Sequence, residues 1–154
     1  MSRELDRQVV AALFDALRAS FPQLRMDLQL EHAQLDLNMD IPEQPGLGFD
    51  VNLNLQGDEL HLSTGRFWLE WFPCTKPDVR EQYREAVAGV LSGRYRIVEH
   101  YLGGRAVKAQ LQRPLAEGWE TIGTWANLGA LVPWPKRTSV RQNLKSGASR
   151  PTMG

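Results

Sequence analysis

The stretch that decides the fold is residues 49–72, FDVNLNLQGDELHLSTGRFWLEWF. Apolar and polar residues alternate along it, and Gly57-Asp58 is a turn signal between two such runs. An alternation of period two places successive side chains on opposite faces of a sheet. The stretch therefore predicts consecutive antiparallel strands with tight turns, one apolar face and one polar face.

The same alternation precedes this stretch. It runs through residues 24–30 and, after a slip of one position at residues 31–32, through residues 33–41. A slip of one reverses the face that is apolar, so a tight turn or a bulge is expected there. Two prolines and a glycine in residues 42–46 then predict a loop.

Two segments have the spacing of amphipathic helices. Residues 3–20 carry an apolar stripe and end before Pro22, and a second stripe ends at Gly93. Asp78 is the expected N-cap of the second helix. Further strands are expected in residues 95–125, with a hairpin turn at Gly103-Gly104.

These elements predict an α+β fold in the order α-βββββ-α-βββ. We expect a single domain over residues 1–135, with two helices and a mainly antiparallel twisted sheet of about seven or eight strands. Residues 136–154 are basic, small and polar, which predicts a disordered tail.

Charge is distributed unevenly along a chain whose net charge is zero. Residues 26–65 contain eight carboxylates and no Lys or Arg, whereas residues 121–154 contain five bases and no acid. Such asymmetry suggests an acidic module with a basic tail. The sequence leaves open whether the tail folds back on the acidic strands.

The acids fall at alternate positions of predicted strands, so many should project from one face of the sheet. The positions expected there are Asp27, Asp36, Asn38, Asp40, Asp50 and Asn52. Like charges on neighbouring strands destabilise a sheet, so such a face suggests recognition of a basic partner. The alternative is that the acids only keep the protein soluble and its edges unpaired.

Aromatic residues concentrate in the last strand of the deciding stretch. Phe67 and Trp71 share one face, and Trp68 and Phe72 share the other. Either this is a central strand that is covered on both sides, or Trp68 and Phe72 form an exposed anchor for a partner.

No catalytic or cofactor motif is found in the sequence. Residues 36–40 match the opening of a calcium loop, but Pro42 follows and Leu47 stands where the bidentate Glu is needed. The three histidines lack metal-site spacing, and the single Cys74 has no histidine near it in sequence. We therefore expect no metal, no cofactor and no enzymatic activity. The scattered bases of the tail lack aromatic interleaving, which argues against a nucleic-acid partner.

The predicted function is non-catalytic protein binding. An immunity or antitoxin-type inhibitor fits best, with an acidic face that binds a basic toxin or effector and with Trp68 and Phe72 as anchors. The alternatives are a homodimeric chaperone or adaptor for an exported effector, and a small-molecule-binding or enzymatic domain with a cleft near Cys74. Since no apolar run reaches about 18 residues and the N-terminus lacks an apolar signal region, we expect a cytoplasmic protein without a membrane partner.

Overall fold

The computed structural model describes residues 3–30 and 35–143 of the 154-residue chain. Its elements are α1 Arg3–Ser20, β1 Asp27–Gln29, β2 Leu37–Ile41, β3 Val51–Gln56, β4 Glu59–Thr64, β5 Phe67–Trp71, α2 Pro77–Ser92, β6 Arg96–Leu102, β7 Arg105–Pro114, β8 Trp119–Ala126, a 3₁₀ helix Leu128–Leu131 and β9 Arg137–Arg141. The turn predicted at residues 31–32 lies outside the described residues.

The strands of the described residues form two antiparallel sheets. Sheet I has the order β1-β2-β3-β4-β5, and sheet II has the order β8-β7-β6-β9. The predicted α+β class with antiparallel strands is confirmed. The described strands number nine and form two sheets, where one sheet of about seven or eight strands was predicted. The 16 residues of α2 separate β5 from β6, so these two strands do not form a further hairpin.

The core lies against the apolar face of sheet I. Alternate residues of β2, β3 and β4 are buried there, as their period of two predicts. Helix α1 contributes Val10, Phe14 and Leu17, and α2 contributes Tyr83 among others. The rings of Phe14 and Tyr83 stack with centroids 6.5 Å apart, so the two helices share one hydrophobic cluster with the sheet.

The two sheets approach each other where β8 passes β5. A Cβ atom at Gly123 would lie 2.5 Å from Leu69 Cδ1, a distance that side chains do not tolerate. The missing side chain therefore lets the backbone of β8 lie directly on Leu69.

Helix α2 begins two residues earlier than the capping pattern predicts. Pro77 occupies the first turn, Lys76 is the N-cap, and no side chain caps the helix. Asp78 therefore lies inside the first turn, where its charge faces the positive end of the helix dipole, and its predicted role as N-cap was wrong. Gly93 ends the helix at φ 81°, as predicted.

The domain boundary predicted at residue 135 does not hold for residues 136–143. Strand β9 pairs with β6, and Arg141 Nε lies 3.1 Å from Glu99 Oε1. Asn143 Nδ2 donates to the carbonyl oxygens of Gly46 at 2.9 Å and Leu91 at 2.7 Å. Composition suggested disorder because this segment is basic and polar, but backbone pairing and these side-chain bonds order it. Residues 144–154 lie outside the described residues.

Candidate functional site

The candidate site is the side of sheet I that points away from the helices, which we call the polar face. Antiparallel register aligns its side chains in rows across the strands. One row is Asp27, Asp40, Asn52, Ser63 and Trp68, and the next is Gln29, Asn38, Asn54, His61 and Glu70. Neither row contains Lys or Arg.

Four amide side chains, Asn38, Asn52, Asn54 and Gln56, form a hydrogen-bonded series that we call the amide ladder. Gln56 donates to Asn54 at 3.1 Å, and Asn54 donates to Asn52 at 2.8 Å. Asn52 Nδ2 donates to Asn38 Oδ1 at 2.8 Å and to Asp40 Oδ1 at 2.7 Å. Because each amide is held by its neighbours, the ladder fixes the side-chain positions across the centre of the face.

The carboxylates at one end of the polar face have few cationic partners. Asp27 and Asp40 are cross-strand neighbours, and only Asp27 has an ion pair among the described residues, with Arg25 at 3.4 Å. Asp40 accepts hydrogen bonds from the Asn38 and Asn52 amides instead. Asp50 Oδ1 accepts a 2.6 Å bond from the backbone nitrogen of Glu43. The Asp40 carboxylate is therefore held by hydrogen bonds, but these neutral partners do not neutralise its charge.

Asp36 has a different environment from the other predicted acids. Its Oδ2 accepts a 2.7 Å bond from the backbone nitrogen of Gly57, and its Oδ1 lies 3.7 Å from Arg3 Nε. These contacts tie the start of β2 to the β3–β4 turn. Of the predicted binding residues, Asn38, Asp40 and Asn52 are thus in direct contact, while Asp36 is occupied with the turn.

Two shallow depressions lie side by side on the polar face. One has a volume of about 350 Å³ and is lined by Asp40, Asp50 and Asn52. The other has a volume of about 430 Å³ and is lined by Gln56 and Trp68 among others. Both include Ser63 and Gly65 in their walls, so they form one open trough across strands β3 and β4.

Trp68 and Phe72 are both exposed, with 44% and 56% of their surface accessible. Strand β5 is the edge of sheet I, so the prediction of a central strand covered on both sides was wrong, and the role of Trp68 and Phe72 as an anchor for a partner stays a prediction. Trp68 stacks on the His61 ring with centroids 5.5 Å apart, so it belongs to the polar face. Phe72 lies just beyond the end of β5.

Three titratable side chains on the polar face were missed by the sequence analysis. His61 Nε2 lies 3.1 Å from Glu59 Oε2 and 3.7 Å from Glu70 Oε2. Glu59 and His61 are two residues apart on β4, and Glu70 is the cross-strand partner of His61. A hairpin turn at Gly65-Arg66 would have predicted this pairing, because it sets residue 61 opposite residue 70.

Cys74 is buried, and its surroundings disfavour a thiolate. Burial raises the pKa of the Cys74 thiol, and the charges of Asp6 and Asp58 raise it further, although Arg80 lowers it. The Arg80 guanidinium donates to the carbonyl oxygen of Cys74 at 2.9 Å and does not pair with the sulfur. A protonated, buried thiol is a poor nucleophile, so this environment does not favour the expected alternative of a catalytic cleft at Cys74.

The described part of the basic C-terminal segment does not cover the polar face. The Arg137 guanidinium lies 4.8 Å from the centre of the Tyr101 ring on sheet II. Lys136 Nζ donates to the carbonyl oxygen of Val132 at 2.7 Å. Arg141 pairs with Glu99 of β6. Up to residue 143, therefore, Lys136 and Arg137 are engaged elsewhere, while Arg141 also donates to Thr64 Oγ1 at 3.1 Å, at the end of β4 beside Gly65.

Comparison with known proteins gave no relatives: no family model, no curated protein and no solved structure matches the chain. None of the helices in the described ranges has the length and apolar character needed to cross a membrane.

Proposed function

We propose that this protein is a non-catalytic binding protein whose polar face recognises a basic surface on a partner protein. One observation carries the proposal: the two central rows of this face include three carboxylates, Asp27, Asp40 and Glu70, and no Lys or Arg. A solvent-exposed sheet that needs only solubility mixes both signs of charge, which is energetically cheaper.

The carboxylate of Asp40 supplies the clearest contact point. Its described partners are neutral amides, so its negative charge remains available to an incoming Lys or Arg. Charge-assisted hydrogen bonds of this kind are stronger than neutral ones. Asp27 and Asp50 lie nearby and add to the local negative potential, which accelerates the encounter with a cationic surface.

Preorganisation by the amide ladder favours binding further. Asn38 and Asn54 are only 5% and 8% exposed, and hydrogen bonds hold the ladder before any partner arrives. Side chains that are already ordered lose little conformational entropy on association.

The exposed Trp68 supplies an apolar anchor beside the charges. It lines the larger depression of the trough and stacks on His61, which limits its rotamers. Tryptophan is among the residues most often found at the energetic centre of protein interfaces. Acidic groups beside an aromatic anchor suit an immunity or antitoxin-type inhibitor, which occupies the basic site where a toxic enzyme holds an anionic substrate.

The test is chemical cross-linking and affinity capture at low salt, followed by binding kinetics with the captured partner. We expect a basic partner, and we expect Asp40→Lys to lower the association rate by about tenfold or more. Glu117→Lys is the control, because Glu117 is an exposed acid in the β7–β8 turn, away from the polar face. Equal rates for both variants, or binding that is insensitive to salt, would exclude this function.

A second candidate function, the homodimeric adaptor, is favoured by a different observation. Leu128, Leu131 and Trp134 are 83%, 80% and 68% exposed within one short segment. Exposed apolar residues at this density mark association surfaces. Light scattering after size-exclusion chromatography distinguishes the two functions: a dimer that Leu131→Ser dissociates supports the adaptor, and a monomer supports the inhibitor.

A further inference from the structure

We propose that Glu59, His61 and Glu70 form a binding site for a divalent transition-metal ion, for which Zn²⁺ is the best probe. The site shares Glu70 and the Trp68–His61 stack with the proposed binding face, but it is argued from the geometry of its own donor atoms and does not rest on the protein-binding function. One donor atom from each of the three side chains lies within 4.8 Å of the other two, so a single ion can reach all three.

The donor set suits a borderline divalent cation. It offers one imidazole nitrogen and two carboxylate oxygens, which are common ligands of Zn²⁺. Mg²⁺ and Ca²⁺ prefer oxygen ligands alone, and the imidazole nitrogen therefore selects against them. Three protein ligands leave at least one coordination position, as in zinc sites that keep an open place for water or substrate.

The backbone holds these ligands in place. Glu59 and His61 project from the same side of β4, and Glu70 projects beside them from β5. Strands fix ligand positions better than loops do. The His61 side chain is only 12% exposed, and Trp68 covers one face of its ring. The imidazole thus loses little freedom when an ion binds at Nε2.

A neighbouring side chain contacts the other nitrogen of the ring. Gln56 Nε2 lies 3.3 Å from His61 Nδ1. Metal-bound histidines regularly hydrogen-bond a second residue through the nitrogen that does not bind the ion. With an ion at Nε2 the ring proton is on Nδ1, and Gln56 must then turn its amide oxygen toward the ring and give up its bond to Asn54.

Electrostatics also favour a cation at this position. Among the described residues, the ion pairs of Glu59 and Glu70 are with His61 alone. One imidazole carries at most a single positive charge, so two ionised carboxylates retain net negative charge. A divalent ion neutralises that charge and orders both glutamates.

The site faces solvent on one side. His61 lines the depression of about 430 Å³ that also contains Gln56 and Trp68. The open coordination position is therefore accessible to water, to a small anionic ligand or to a donor side chain of a partner.

The experiment is isothermal titration of untagged, chelator-treated protein with ZnCl₂ and, separately, MgCl₂. We expect one Zn²⁺ per chain and at least about tenfold weaker binding of Mg²⁺. His61→Gln should abolish Zn²⁺ binding, and Gln56→Leu should weaken it by about tenfold. The control is His100→Gln, because His100 lies on β6 in sheet II and should not affect binding.

A second measurement keeps the test decisive if His61→Gln does not fold. Long-range ¹H–¹⁵N spectra of the wild-type protein report each imidazole nitrogen, and Zn²⁺ should shift Nε2 of His61 selectively. Binding at another histidine, an unchanged affinity in Glu70→Gln, or no saturable Zn²⁺ binding would overturn the assignment. Loss of metal binding would leave the protein-binding function untouched, since Asp40→Lys tests that function at the other end of the face.

Discussion

The two sheets of this molecule manage charge in opposite ways. On sheet II, Arg141 pairs with Glu99 at 3.1 Å, and Arg113 pairs with Glu120 at 2.7 Å. The Arg96 guanidinium lies 4.1 Å from the centre of the Trp119 ring. On the polar face of sheet I, Asp40 instead accepts hydrogen bonds from neutral amides and has no ion pair among the described residues.

The two sheets therefore differ in whether their charged side chains are paired within the chain. The charges of Glu99, Arg113, Glu120 and Arg141 on sheet II have partners within the chain, so they have little left for another molecule. The charge of Asp40 on the polar face is held in position but has no ion pair among the described residues. Function is therefore expected on sheet I, and charge-dependent stability on sheet II.

The largest effect should come from removing the strand that completes sheet II. A chain ending at residue 135 lacks β9, the Arg141–Glu99 ion pair and the bonds of Asn143. We expect it to lose more than about 5 kcal/mol, which is most of the stability of a typical domain. A chain ending at residue 143 is the matched control and should unfold cooperatively in urea. Equal stability of the two chains would show that β9 is dispensable.

The next largest effect is expected from breaking the Arg141–Glu99 ion pair of sheet II. Glu99 is only 7% exposed, and Arg141→Met leaves its carboxylate buried without a cation. We expect a loss of about 2–3 kcal/mol in urea unfolding, less than for a fully buried pair because Arg141 is partly exposed. Arg137→Met serves as the comparison, since its contact with Tyr101 is worth less than about 1 kcal/mol. Adding Glu99→Gln to Arg141→Met should recover part of the loss.

On the buried side of sheet I, which faces the helices, Tyr83 should make the free energy of unfolding depend on pH. Tyr83 donates from its hydroxyl to the carbonyl oxygen of His61 at 2.7 Å, and complete burial raises the pKa of its phenol well above the ordinary value. The unfolded chain loses this proton above about pH 10 and the folded chain keeps it, so the free energy of unfolding falls as pH rises.

Tyr83→Phe should remove this component of the alkaline slope, which reaches at most about 1.4 kcal/mol per pH unit. At neutral pH the same variant should cost about 1 kcal/mol for the lost hydrogen bond. Urea unfolding between pH 8 and 11 measures both effects, with Tyr101→Phe as the control. A slope unchanged by Tyr83→Phe would contradict the assignment.

The smallest effect should be found on the polar face itself. Asp40→Asn removes a charge opposite Asp27 and keeps an oxygen that accepts from the amide ladder. We expect stability to change by less than about 0.5 kcal/mol, since lost repulsion and lost charge-assisted bonding offset each other. The equivalent change on sheet II, Glu99→Gln, should cost more because it breaks the ion pair with Arg141. If Asp40→Asn were the costlier of the two, the contrast between the sheets would fail.

Local patterns carried much of the fold and part of the site. The alternation in residues 49–72 predicted strands β3, β4 and β5 and placed Asn52 on the polar side. The turn at Gly57 has φ 61°, which glycine adopts readily. These features depend on neighbours in sequence, and such neighbours are visible in the sequence itself.

Features that depend on pairing between residues distant in sequence could not be predicted from the sequence. Strand β9 is a polar segment whose order comes from β6, some forty residues earlier. The division into two sheets depends on how α2 redirects the chain. The cluster around His61 needed the register between β4 and β5, and the role of Asp36 needed its contact with Gly57. Alternation indicates which face a residue occupies but not which residue of another strand lies beside it.

The side chain of Asn143 connects parts of the chain that are synthesised at different times. Its amide reaches Gly46 and Gly48, which precede it by 97 and 95 residues. A ribosome adds about 5–20 residues per second, so Asn143 is synthesised several seconds after these glycines. The strands that carry the polar face are synthesised before Asn143, and the loop between β2 and β3 is secured after them. A nascent chain can thus form the strands of its polar face before Asn143 secures the loop between β2 and β3.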